Sequence, residues 1–116
     1  MLFELEERTF QFASRVRKFC RKFKQDRINL EDITQLIRAS GSIGSNYIEA
    51  NENLGKADKR MHLKISRKES KECSFWLRLL YIEGENLVLE NERYMLIDEA
   101  IQFRKIFSSI LEKLPI

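Results

Sequence analysis

Apolar residues return at alternating steps of three and four along almost the whole chain, and the single proline stands at position 115, where it interrupts none of them. That period marks one face of a helix. Leu5, Phe12, Val16, Phe19 and Phe23 predict a first helix over 5–23. A second is expected from Asn29, as N-cap, to about Asn51, with Glu31 and Asp32 in its first turn, where negative charge is favoured. Its stripe is Ile33, Ile37, Ser40, Gly44 and Tyr47. Gly41 and Gly44 each cost about 1 kcal/mol relative to alanine inside a helix. Ser40 and Gly44 nevertheless lie four apart, where small side chains admit a close neighbour, so the helix is read as continuous. Asp58 as N-cap opens a third helix running to about Ile82, with Gly84 as its stop and His62, Ile65, Glu69, Glu72, Trp76 and Leu79 as its stripe. A fourth begins after Asn91 and carries Leu96, Ala100, Phe103, Phe107, Ile110 and Leu114. Short connections force neighbours to run antiparallel, so the expected fold is all-α, an antiparallel up-down four-helix bundle forming one domain over 1–116.

Composition narrows the class further. With 43% hydrophobic and 34% charged residues and only four glycines, the chain is neither disordered nor collagen-like. No run approaches the 18 to 20 or so apolar residues of a membrane span, and Glu4, Glu6 and Glu7 stand where a signal peptide needs cations, so a cytoplasmic location is expected. Cys20 and Cys73, with no C-x-x-C spacing, read as buried free thiols.

Catalytic and metal chemistry find little support. Glu69 and Glu72, at i and i+3, are the most distinctive polar pair, yet a di-iron bundle needs Glu-x-x-His motifs and this chain has one histidine, His62, and no such motif. No arginine lies four to six residues ahead of His62, which removes one type of helical ribonuclease. The run Ser40-Gly41-Ser42-Ile43-Gly44 lacks the Gly-Lys-Ser/Thr end of a phosphate loop. The expectation is therefore no metal, no cofactor and no enzyme, with Glu69 and Glu72 paired to arginine and Arg38 the first candidate.

The net charge of +3 conceals an alternation. Lys and Arg outnumber Asp and Glu eight to four in 1–28 and eight to three in 56–80, but are outnumbered four to one in 29–55 and seven to four in 81–116. Cations that could meet phosphates are Arg15, Arg17, Lys18, Arg21, Lys22 and Lys24 in the first helix. The third contributes Lys59, Arg60, Lys64, Arg67 and Lys68, with Lys56 and Lys71 beside them. The first and third helices are diagonal in an up-down bundle and carry their cations in opposite halves, so the two patches are expected toward opposite ends. Helix-to-helix or subunit packing uses such alternation equally well.

Two blocks carry a family resemblance. Gln35-Leu36-Ile37-Arg38-Ala39-Ser40-Gly41-Ser42-Ile43-Gly44-Ser45-Asn46 followed by Glu49-Ala50 is the first. Leu63-Lys64-Ile65-Ser66-Arg67-Lys68-Glu69-Ser70-Lys71-Glu72 with Trp76-Leu77-Arg78-Leu79-Leu80 is the second. Together with Arg8-Thr9-Phe10, they make the chain similar to the small bacterial four-helix-bundle proteins encoded by intervening sequences of 23S ribosomal RNA genes. That family in turn resembles the accessory variability protein of diversity-generating retroelements. The resemblance implies a homo-oligomer, a pentamer of bundles, that binds RNA or other nucleic acid and has a protein partner such as a reverse transcriptase. Arg38, Asn46, Glu49, Glu69 and Glu72 are the matching polar positions, read here as a structural network. The function expected is a non-enzymatic nucleic-acid-binding accessory or assembly factor, the alternative being a protein adaptor that touches no nucleic acid.

Overall fold

A computed structural model describes residues 2–23, 26–52 and 54–115. They form α1 (Leu2–Cys20), α2 (Arg27–Ala50), α3 (Lys56–Leu79) and α4 (Leu87–Lys113), with no strand among the described residues. Each helix packs on its neighbours in chain order and α1 closes on α4, while the diagonal pairs do not meet. Cross-helix contacts fix the directions. Arg17 and Glu6 of α1 meet Ser40 and Asn51, Asn46 of α2 meets His62, and Arg60 and Arg93 join α3 to Pro115 and to Leu77. Residue numbers rise on one helix as they fall on the next, so the bundle is antiparallel throughout. It is 50 Å long and about 20 Å across.

The core is built from Phe12, Val16 and Phe19, Leu36, Ile43 and Tyr47, Leu63, Cys73 and Leu77, and Leu96, Phe103 and Phe107. Leu96, Ala100, Phe103 and Phe107 of the α4 stripe are buried as the spacing predicts, while Leu111 takes the core place expected for Ile110, which packs partly buried beside it. In α3 the buried line is Leu63, Ser66, Ser70, Cys73, Leu77 and Leu80, one residue on from the expected one. Its central members are small, so hydropathy favoured the bulkier Ile65 and Trp76, which only flank the core. Both serine hydroxyls are satisfied: Ser66 donates to the Ile43 carbonyl at 2.9 Å and Ser70 to the Ser66 carbonyl at 2.8 Å. The α2 core line likewise moves to Leu36, Ala39, Ser40, Ile43, Tyr47 and Ala50.

Helix ends depart from expectation in a consistent way. Asp26 caps α2, accepting from the Ile28 and Asn29 amides. Asn29 itself is only 4% exposed: its Nδ2 donates to the Tyr81 carbonyl and its Oδ1 accepts from the Tyr81 amide, both at 2.9 Å. One side chain thus mimics a strand partner for the α3–α4 connection. Gly55, at φ 127°, precedes α3, and Asp58 lies in the first turn instead of capping it. Helix α3 stops at Leu79, before Gly84, and Arg93 gathers its end by donating to the Leu77 and Leu80 carbonyls at 3.0 and 2.5 Å. Helix α4 begins at Leu87, not after Asn91, and is capped by Asn86 through the Leu89 amide; Leu87 and Val88 open it on the solvent side and offer no core signal. Helix α1 ends at Cys20, three residues before Phe23.

Helix α2 runs unbroken through both internal glycines. At Gly44 the reason is contact: a Cβ there would stand 2.7 Å from Thr9 Oγ1 and 3.2 Å from Thr9 Cβ, and Thr9 is held by its own bond to the Glu6 carbonyl. Gly44→Ala is therefore expected to destabilise the fold by about 1–3 kcal/mol, the usual range of overpacking. Thr9→Ala should recover part of that loss in the double variant, as read by chemical denaturation. The Asn29 clasp gives a second expectation. Asn29→Leu keeps the volume but strands two main-chain groups of Tyr81, at a cost of about 1–3 kcal/mol. Hydrogen exchange should then show weaker protection at Tyr81 while the α2–α3 core keeps its own.

Candidate nucleic-acid interface

Three of the cations in and just after α1 are already engaged. Arg17 donates to the Ala13 carbonyl at 2.9 Å and to Ser40 Oγ at 3.3 Å. Lys22 pairs with Glu92 of α4 at 2.5 Å. Arg8 holds Glu99 through two bonds of 2.7 and 2.8 Å while lying over the Phe103 ring. Arg15 is half-buried; Lys18 and Arg21 are exposed, and Lys24 lies outside the described residues. The α1 patch is thus smaller than its count of cations.

Helix α3 is different. Lys59 is half-buried and lines a cavity with Tyr47 and Leu63, and Lys68 stands 3.7 Å from both Glu69 and Glu72. Arg60 donates to the Pro115 carbonyl at 3.0 Å and has no ion-pair partner among the described residues. Lys64 and Arg67 have no ion-pair partner among the described residues. Arg60, Lys64, Arg67, Lys71 and Arg78 recur at steps of four, three, four and seven. Arg60 and Arg78 are eighteen residues apart, five helical turns, so the line runs about 27 Å along one side of α3. Helix α4 adds Arg104, eleven residues from Arg93, which contacts α3. Eleven residues are close to three turns, so Arg104 stands on the α3 side of α4. Arg78 and Arg104 escaped the sequence reading; their spacing from Arg60 and Arg93 was the available signal. The α1 cations lie at the end where Lys22 meets Glu92 and the first α3 cations at the end where Arg60 meets Pro115, opposite ends as expected.

The five polar family positions do not join into one network. Arg38 is exposed and forms no ion pair among the described residues; it acts on Glu69 only through space. The expected pairing with Glu69 or Glu72 is replaced by Lys68, because the one-residue shift of the α3 core turns both carboxylates out of the seam. Glu69 keeps a side chain 12% exposed, Glu72 one 41% exposed, and Glu49 is exposed. Asn46 belongs to another cluster. Its Nδ2 donates to the Ser42 carbonyl and to Ser42 Oγ, and its Oδ1 meets His62 Nδ1 at 2.9 Å, while His62 Nε2 faces Asp58 at 3.5 Å. No group of His, Cys, Asp and Glu suited to a metal occurs among the described residues. Burial pushes the Cys20 thiol up to about 11 and raises that of Cys73 further, so neither is a thiolate near neutral pH. No described helix is long and apolar enough to cross a membrane.

The family model described as 23S rRNA-intervening sequence protein matches residues 3–109. This chain belongs to that family. A search of curated proteins finds no match. Among solved structures, this family member is similar to a crystal structure of a protein with unknown function from the S23 ribosomal protein family of Bacteroides thetaiotaomicron VPI-5482. The TM-score is 0.81 at 24% identity, covering 97% of this chain and 100% of the other, a likeness of fold.

The Glu69 environment makes a pH-dependent expectation. Burial first, and the Glu72 charge second, hold its pKa above the ordinary carboxylate value against the lowering effect of Lys68 and Arg38. A raised folded-state pKa favours the protonated carboxyl in the fold, a contribution present at acid pH and lost as pH rises through the raised value. Glu69→Gln should therefore melt above the native protein at neutral pH, and the difference should close as the pH falls below the ordinary carboxylate range.

Proposed function

We propose that this family member is a non-enzymatic, homo-oligomeric protein of the cytoplasm that binds RNA or another nucleic acid as an accessory or assembly factor. The observation that carries this reading is the line Arg60, Lys64, Arg67, Lys71 and Arg78, which has no acidic partner among the described residues, with Arg104 beside it on α4. A row of uncompensated cations some 27 Å long suits a run of phosphates better than any single small anion. Lys18 on α1 and Arg21 just after it supply a second, smaller contact from another subunit.

Assembly is supported by two unlike apolar surfaces. Phe10 and Ile48 border a groove of about 440 Å³ between α1 and α2, lined by small residues that include Ala13, Gly41 and Gly44. Met61, Phe75 and Leu79 are exposed on the outer side of α3. Unlike faces join copies head to tail, and such contacts form a ring when the rotation between copies closes. A pentamer is the ring that the family resemblance implies, and a reverse transcriptase is the kind of protein partner that the retroelement resemblance implies. The α1–α2 groove also favours the second reading, an adaptor that recruits a protein through that groove and touches no nucleic acid.

Light scattering coupled to the 260/280 nm absorbance ratio tests both parts on one chromatographic peak. Lys64→Glu with Arg67→Glu should then weaken RNA binding and lower the slope of log affinity against log salt by about 0.7 for each single-strand phosphate that is no longer neutralised. An unchanged affinity and slope, in an oligomer of unchanged size, would move the reading to the adaptor.

A further inference from the structure

We propose that the cleft between Tyr81 and Tyr94, at the end of the α3 cation line, is a base-stacking site, so that the nucleic acid taken by this face is an unpaired single strand. The inference rests on the nucleic-acid reading of that face and adds the form of the ligand. The cleft holds about 570 Å³ between the end of α3 and the start of α4, with Arg78 on its border and Ile97 among its apolar walls. Tyr81 is 62% and Tyr94 71% exposed, and neither hydroxyl has a hydrogen-bond partner among the described residues. Two large exposed rings thus line one opening.

The backbone beneath them is unusually well held. Asn29 clasps both main-chain groups of Tyr81, and Arg93 gathers the carbonyls of Leu77 and Leu80. Glu90 also lines the cleft, but it is paired with Arg93 at 2.6 Å, which offsets its repulsion of an anion. An exposed ring on an immobilised backbone loses little freedom when a flat partner stacks on it, which is the condition for preorganised binding. Arg78 is the last cation of the line and lies three residues before Tyr81, so a strand whose phosphates follow the line reaches the cleft with its bases. Bases within a duplex are stacked on each other and present no face to a tyrosine, whereas an unpaired base does so whatever its sequence.

Fluorescence anisotropy of the full chain with a labelled oligouridylate long enough to span α3, and with an RNA duplex of the same length, tests the proposal. The native protein should favour the single strand. Tyr81→Leu and Tyr94→Leu should each weaken single-strand binding about tenfold, within the range of base–aromatic stacking, without altering the salt slope or the duplex affinity. Tyr81→Phe should bind as the native protein does, and melting curves of these surface variants should coincide with it. Leucine variants with native affinity would overturn the stacking site. If Lys64→Glu with Arg67→Glu still weakened binding in that case, the phosphate line would stand without the cleft. A native protein that bound neither probe would overturn both readings.

Discussion

The hydroxyl of Ser66 reaches the main-chain carbonyl of Ile43 inside the core at 2.9 Å, and much of the molecule follows from that contact. A serine side chain is short, so α2 and α3 must lie nearly in touch for it to form. Ser70 and Cys73 continue the same line on α3, and Ala39 faces inward from α2. Burying this line of small residues sets the rotation of α3 about its own axis. Ile65 and Trp76 fall to the flanks, Glu69 and Glu72 leave the seam, and the cations from Arg60 to Arg78 share one outer side. The adjoining α1–α2 wall repeats the device, with Gly44 against Thr9 holding α1 close to α2.

Close helices leave little room for disorder at their ends, and this protein closes the end that carries the α3–α4 connection with buried polar groups. Main-chain groups that lose water must find partners. The connection after Leu79 has no regular structure of its own, so its partners come from side chains: Asn29 from α2 and Arg93 from α4. These two residues tie together three helices at one end. The tie also leaves large aromatic side chains exposed on a backbone whose polar groups are held by side chains of two other helices.

Four helices, their antiparallel order, the α4 stripe and the passage of α2 through Gly41 and Gly44 were all legible in the sequence, because each rests on a period or on the length of a connection. The phase of α3 was not. A buried line of Leu63, Ser66, Ser70 and Cys73 is less apolar than the neighbouring line of Ile65 and Trp76, and the choice between them depends on the partner helix. The expected pairing of Arg38 with Glu69 or Glu72 fell with that phase. Asn29 was misread for a related reason: an asparagine ahead of two acids has the local pattern of a cap, and only the arrival of Tyr81 in space reveals its other use. Of the candidate cations, the α3 series was legible as a cluster, but its extension to Arg78 and Arg104 needed the faces of α3 and α4 to be known.

Net charge is a poor guide to where this molecule is electropositive. The first segment carries a surplus of cations, yet Arg8 and Lys22 spend theirs on Glu99 and Glu92 of α4. The acidic surplus of α4 is consumed in the same pairs and in Glu90 with Arg93. Exposed pairs of this kind add little stability, but each removes one charge from the field seen by an approaching ligand. On α3 the acids gather at Glu69 and Glu72, where they meet Lys68, and leave the line from Arg60 to Arg78 without opposition. A surplus of three charges, spread evenly, would attract nothing in particular. The segment 56–80 holds a surplus of five and the rest of the chain a deficit of two, so the excess set along one side of one helix makes a directional surface.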